Sequence, residues 1–122
     1  MAKDNPEDIK DRTFRFALTI ISLVETLPNT ISAKTIGKQL IRSGTSIGAN
    51  VEEATAAHSK ADFIYRMNVA LREARETLYW LRLLEASQIS ETKIAAEILQ
   101  EADEITRILG AIVSSARGKR KT

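Results

Sequence analysis

The sequence contains no cysteine, a single histidine and only two prolines in 122 residues. The absence of cysteine excludes disulfides, thiolate metal sites and cysteine nucleophiles. A carboxylate-bridged metal site in a helix bundle needs a Glu-x-x-His motif on each of two helices, which one histidine cannot supply. No apolar run approaches the roughly 18 residues of a membrane-spanning helix. We therefore expect no metal, no membrane contact and no cysteine chemistry.

Sequence motifs for catalysis and for cofactors are also lacking. SGTSIGAN (43–50) is rich in small residues, but it lacks the GK[ST] ending of a phosphate-binding loop and no predicted strand precedes it. His58 has no positioned partner, and we expect it in a turn between helices. The first residues, MAKDNPEDIKDR, lack the apolar segment of a secretory signal. These observations favour a cytoplasmic protein that has no cofactor and is not an enzyme.

The positive charge is concentrated at one end of the sequence. The formal net charge is +2, yet residues 117–121 hold four positive charges and no negative ones. Without them the chain has 14 basic and 16 acidic residues. We expect residues 117–122 to form a flexible basic tail outside a domain that covers residues 1–116. Such a tail contacts phosphates of nucleic acid or serves only as a solubilising terminus.

Four helical segments are separated by helix-breaking and helix-capping residues, and no alternating strand pattern occurs. The first is expected to begin at Pro6, with Asn5 as its cap, and to end near Leu27, before Pro28. The second is expected from near Ser32. The third opens with a capping box at 59–62 and extends to about Ala86. The fourth starts at Ser87 or Ser90. Short connections between long helices predict an all-α, up-down-up-down antiparallel four-helix bundle.

Apolar residues at spacings of three and four predict the inward face of each helix. The four predicted core stripes are Phe16, Ile20, Val24 and Leu27; Ile36, Leu40, Ile47, Val51 and Ala54; Ile64, Met67, Leu71, Ala74, Leu78 and Leu81; and Ile98, Ala102, Ile105, Leu109, Ile112 and Ala116. The second helix also contains Gly37, Gly44 and Gly48, each of which costs about 1 kcal/mol relative to alanine. We expect these glycines where the backbone of a neighbouring helix approaches closely.

Two helices have more apolar surface than one core can use. Outside the predicted core lie Tyr79, Trp80, Leu83 and Leu84 on the third helix and Phe14, Leu18 and Ile21 on the first. In a monomer they would form contiguous exposed patches, which soluble monomers rarely carry, unless they are a chance scatter of exposed residues. We predict that both sets lie at an interface between subunits. If the two patches pair, the contact is heterologous, and such contacts close into rings.

Charged residues suggest two further features. Arg72, Glu73, Arg75 and Glu76 either form a solvated stripe or make ion pairs, across subunits or with Arg42, Glu52 or Glu53 of the second helix. Basic residues on the second helix recur at a spacing of four and fall on one face. Together with the tail, they are the candidate contacts to nucleic acid: Lys34, Lys38, Arg42, Arg117, Lys119, Arg120 and Lys121.

Three segments carry a family resemblance. QLIRSGTSIGANVEEA (39–54), the Ser-x-Ala-Asp-Phe segment at 59–63 and LREARETLYWLRLL (71–84) closely resemble the small four helix bundle proteins, also called 23S rRNA intervening-sequence proteins. The resemblance extends over the whole chain in length and helix order. It implies an antiparallel bundle that assembles into a homopentameric ring, with no assigned activity. A related protein, the accessory variability determinant of diversity-generating retroelements, implies nucleic-acid binding through a basic pentamer surface, whereas this chain is slightly acidic outside its tail.

The sequence therefore predicts a non-enzymatic protein that assembles with copies of itself, most simply as a pentamer. RNA, a ribonucleoprotein or a nucleic-acid-handling protein is the expected partner, bound through a basic surface repeated around the ring. The alternative is a structural or regulatory oligomer that binds a protein partner and no nucleic acid.

Overall fold

The computed structural model describes residues 6–118 of the chain, with the side chains of residues 9–118. Four helices make up the structure: α1 (Pro6–Glu25), α2 (Ile31–Thr55), α3 (Lys60–Ser87) and α4 (Thr92–Ala116). No β-strand occurs between residues 6 and 118. Gly37 lies against Val24 and Gly48 lies against Thr13, so α1 and α2 are antiparallel. The predicted all-α four-helix bundle is confirmed.

The helices pack in a cycle. Neighbours along the chain pack closely against each other, and α1 and α4 close the bundle over a shorter stretch. Among the described residues, the backbones of α1 and α3 do not pack against each other, and neither do those of α2 and α4. These two pairs are therefore the diagonals of the bundle, and the outer faces of α1 and α3 point in different directions.

The helix boundaries follow from local capping. Ser59 accepts a hydrogen bond from the backbone N–H of Asp62 at 3.1 Å, as the predicted capping box requires. Thr30 caps α2 in the same way, accepting from Ala33 at 3.2 Å, so that helix begins slightly before the predicted Ser32. The third helix continues to Ser87, and Gln88 ends it in a left-handed conformation with φ of 59°. As a result α4 begins at Thr92, later than predicted. Helix α1 ends at Glu25, two residues before the predicted Leu27, and its predicted cap Asn5 lies outside the described residues.

One core lies along the bundle axis and takes residues from all four helices. Most members of the predicted stripes are buried, but some at the edges are only half-buried: Val24, Leu27, Ile64, Leu78 and Ala116. The core also includes residues outside those stripes: Ile9, Leu23, Ala33, Ala70, Leu84, Ala95 and Val113. Two buried hydroxyl groups, those of Ser43 and Thr77, are 2.8 Å apart and satisfy each other across the contact of α2 and α3.

The three glycines of α2 face α1. A Cβ atom at Gly44 would lie 3.0 Å from Cγ1 and 3.1 Å from Cγ2 of Ile20, and one at Gly37 would lie 3.1 Å from Val24 Cγ1. At Gly48 the nearest atom is a backbone atom, the carbonyl oxygen of Thr13 at 3.3 Å. The small residues therefore allow α1 to approach α2 closely, with a side chain as the neighbour at two positions and backbone at the third.

Candidate functional site

An open apolar groove of about 850 Å³ lies between α3 and α4. Its apolar side chains are Leu78, Tyr79, Leu83 and Leu99. Tyr79 is 51% exposed and Leu83 is 37% exposed, so both present apolar surface to solvent. Charged side chains border the groove: Arg75, Arg82, Glu85 and Asp103. Asp103 pairs with Arg107 at 3.0 Å, whereas neither arginine of the groove makes an ion pair with another described residue.

The structure divides the cluster that was predicted on the third helix. Tyr79 and Leu83 line the groove, but Trp80 lies on the flank of α3 that faces α2. Its indole N–H donates to Glu76 at 3.0 Å, and its ring meets Tyr79 edge-on at 5.2 Å between centroids. Leu84 is fully buried in the core. The expectation that Leu84 lies at a subunit interface is therefore corrected, because the last turns of α3 rotate this residue toward the bundle axis.

A second exposed apolar surface lies on α1. Phe14 is 60% exposed, Leu18 is 51% exposed and Ile21 is 40% exposed. Phe14 also borders a shallow pocket with Ala17 of α1 and Thr45, Gly48 and Ala49 of α2. This apolar surface thus leans toward α2, on the side of the bundle away from the groove between α3 and α4.

The basic residues of α2 have different environments. Lys34 and Lys38 are exposed beside a pocket of about 460 Å³ whose apolar lining includes Val24, Leu27 and Ile41. Arg42 instead forms ion pairs with Glu73 at 3.3 Å and with Glu76. This is one of the alternatives that the charge pattern left open. Because two carboxylates of α3 pair with Arg42, only Lys34 and Lys38 of the predicted basic face of α2 remain for contact with nucleic acid.

Arg117, the charged residue of the basic tail that the structure describes, lies far from these lysines. Arg117 follows α4 and is exposed, while Lys119, Arg120 and Lys121 lie outside the described residues. In this topology α4 and α2 both finish at the same end of the bundle, whereas Lys34 and Lys38 lie near the start of α2. At 1.5 Å per residue, Arg117 is separated from the two lysines by roughly 25–30 Å along the bundle axis. The sequence pattern suggested one shared surface, but within one chain Arg117 and the two lysines lie toward opposite ends of the bundle.

One cluster was not foreseen. Arg12 of α1 donates to both carboxylate oxygens of Glu101 on α4, at 2.7 and 2.8 Å, and to Glu104 at 2.5 Å. These hydrogen bonds raise the pKa of Arg12, and the one to Glu101 contributes most. Bidentate arginine–carboxylate pairs are among the stronger charged contacts. The cluster therefore secures the α1–α4 edge, where the helices pack over the shortest stretch, and it is structural in character.

Nothing in the described part of the chain gathers three or more potential metal ligands. His58 is exposed in the turn between α2 and α3. Within residues 6–118, none of the four helices combines the length and the apolar character that a membrane span requires. The arrangement is suited to contacts with macromolecules: two apolar surfaces on different faces, and exposed lysines between them.

Comparison with known proteins gives two findings. The sequence profile described as "23S rRNA-intervening sequence protein" matches residues 7–111. A crystal structure of a protein of unknown function from the S23 ribosomal protein family of Bacteroides thetaiotaomicron is 39% identical in sequence and superimposes with a TM-score of 0.81. That alignment covers 93% of this chain and 99% of the other. No curated protein sequence matches the chain.

Proposed function

The chain belongs to the family of 23S rRNA-intervening sequence proteins, and on this premise we propose that it is a non-enzymatic protein that assembles with copies of itself and binds RNA. One observation carries the proposal. Large apolar side chains stay exposed on two different faces of the single chain, among them Phe14 at 60% and Tyr79 at 51%. Monomers rarely expose such contiguous surface, and self-assembly would cover it.

We propose five copies in a closed ring, the number that the family resemblance implies. Burying Phe14, Tyr79 and Leu83 against a neighbour contributes roughly 1–2 kcal/mol for each side chain, because each is already partly covered in the single chain. The same contact repeats at every interface of a closed ring, so the apolar contribution grows with each subunit and offsets the entropy lost on association.

RNA is the proposed partner because the family is named for 23S rRNA and because Lys34 and Lys38 are exposed on one face. Two lysines from one chain neutralise few phosphates. In a ring of five, the same pair recurs at every subunit, and tethered contacts raise the overall affinity without any new kind of contact. We also propose a cytoplasmic location, where a protein that binds ribosomal RNA would meet it.

A second candidate function is an oligomer that binds a protein partner and no nucleic acid. The observation that favours it is the charge of the body of the chain, which has 16 acidic and 14 basic residues without residues 117–122. A basic protein would suit this surface. The two candidates differ in salt dependence, because phosphate contacts weaken steeply as salt rises and apolar contacts do not.

The salt dependence of RNA binding tests the proposal. The affinity for a labelled single-stranded RNA is followed by fluorescence anisotropy, and its logarithm should fall linearly with the logarithm of the salt concentration between about 50 and 200 mM. Deleting residues 117–122 removes four positive charges from each subunit. The deletion should lower the affinity. It should also reduce the slope of log affinity against log salt by about 0.7 in magnitude for each phosphate that is no longer neutralised. An unchanged slope would show that the tail does not contact RNA. If the protein binds no RNA even at low salt, the RNA proposal is contradicted and a protein partner is favoured.

A further inference from the structure

The pocket of about 460 Å³ lies beside the turn that joins α1 to α2. Half-buried aliphatic side chains form its walls: Val24, Leu27 and Ile41. Gly37 also lines the pocket, and a Cβ atom there would lie 3.1 Å from Val24 Cγ1 and 3.6 Å from Leu27 Cδ1, so the glycine leaves space between these walls. Small-molecule sites have volumes of about 300–1,000 Å³ and mainly apolar linings. The pocket has the size and the lining of such a site.

The charge at the rim of this pocket is positive. Of the described residues, the charged ones that line it are Lys34 and Lys38, both of them exposed, and neither makes an ion pair with another described residue. Glu25, in the last turn of α1, is exposed and does not line the pocket. The next cation along α2, Arg42, is already paired with carboxylates of α3. A ligand with a negative charge therefore complements the rim.

The two lysines also lie at the end of α2 where cations are least favourable. This helix begins at Ile31 and has no acidic residue in its first turn, whereas Lys34 lies in that turn. The N-terminal end of a helix carries a partial positive charge, which repels cations and attracts anions. A bound anion would offset both the helix dipole and the charges of the lysines, and the apolar walls beside it would cover an aliphatic chain.

We propose that this pocket binds a free aliphatic carboxylate. The aliphatic chain lies between Val24, Leu27 and Ile41, and the carboxylate pairs with Lys34 and Lys38. Among the described residues, no aromatic side chain lines the pocket, so a planar ring would find no stacking partner there. A phosphate of RNA would use the two lysines but leave the apolar walls uncovered. The site requires neither RNA binding nor self-assembly, and RNA would compete with the carboxylate for the lysines.

Titration of the full chain with octanoate, below the concentration at which it forms micelles, tests the site by NMR of the methyl groups. Octanoate should shift the methyl resonances of Val24, Leu27 and Ile41 in a saturable manner. Those of Leu83 and Leu99 in the α3–α4 groove should not shift, which controls for general binding to apolar surface. Octanamide has the same chain and a neutral head, and it should bind roughly tenfold more weakly. Acetate lacks the chain and should cause no saturable shift.

Lys34→Ala with Lys38→Ala should weaken octanoate binding roughly tenfold, to the affinity of octanamide. The matched control, Lys60→Ala with Lys93→Ala, removes the same charge from exposed lysines at the starts of α3 and α4 and should keep the affinity of the parent. The site is overturned if octanamide binds as tightly as octanoate, if the groove methyl groups shift equally, or if the first variant keeps full affinity. Saturable binding of acetate would reveal a simple anion site and would also overturn it.

Discussion

Replacing Gly44 with leucine should lower the free energy of unfolding by several kcal/mol. The first atom of the new side chain would lie 3.0 and 3.1 Å from the two γ-carbons of Ile20, which is fully buried. Isoleucine is branched at Cβ and holds its rotamer, so it cannot turn aside. Overpacking of a tight core contact costs about 1–3 kcal/mol or more, which exceeds the gain in helix propensity on replacing glycine. Urea denaturation at fixed protein concentration gives the change.

Gly110 provides the matched control. It also lies inside a helix, yet nothing lies within 4 Å of where its Cβ would be. Gly110→Ala should therefore raise the free energy of unfolding by about 0.5–1 kcal/mol, the gain in helix propensity alone. A Gly44→Leu variant that melts at or above the temperature of the parent would refute close packing of α1 on α2 at this glycine.

Reversing the charge of Lys34 and Lys38 should produce the largest loss of RNA affinity. In the proposed ring of five subunits, changing both residues to glutamate removes ten positive charges from the surface that is proposed to face phosphate. Proteins that make about 6–10 phosphate contacts lose roughly 10³–10⁵ in affinity when salt weakens those contacts. We expect a loss of roughly 1,000-fold, at the lower end of that range. The affinity for the same labelled RNA is measured at low salt.

The control for this variant is Lys60→Glu with Lys93→Glu. Both lysines are exposed, and they lie at the starts of α3 and α4 rather than on the α2 face. The net charge changes by the same amount in both variants. A loss of RNA affinity in the α2 variant alone would therefore show that RNA contacts this surface and does not respond only to overall charge. Equal losses in both variants would instead indicate attraction by net charge. An unchanged affinity in the α2 variant would remove Lys34 and Lys38 from the RNA surface.

The helices were predictable because their signals are local. Ser59 and Asp62 are three residues apart, and their capping hydrogen bond depends on nothing distant. Spacings of three and four fixed most of each core stripe for the same reason. The predicted helix ends were less accurate, because a single residue determines where a helix stops. Gln88 adopts a left-handed conformation, so α3 ends only after Ser87.

The surfaces were harder to predict because they depend on how each helix is rotated in the bundle. Neighbouring positions differ by about 100° around a helix, which is enough to place Leu83 in the groove, Leu84 in the core and Trp80 toward α2. Arg12 reaches Glu101, 89 residues away in sequence, and no periodicity within one helix indicates such a pair. From the sequence, Arg42 was both a candidate contact to nucleic acid and a candidate partner of the α3 carboxylates, and its ion pair with Glu76 depends on how the two helices pack.

The molecular mass of the parent protein in solution tests the central claim most directly. Light scattering coupled to size exclusion at micromolar concentration should give one species close to five times the chain mass of 13.5 kDa. A closed oligomer of another number would keep self-assembly and correct only the number of copies. A single 13.5 kDa species would contradict the account, because the apolar surfaces around Phe14 and Tyr79 would then remain in water.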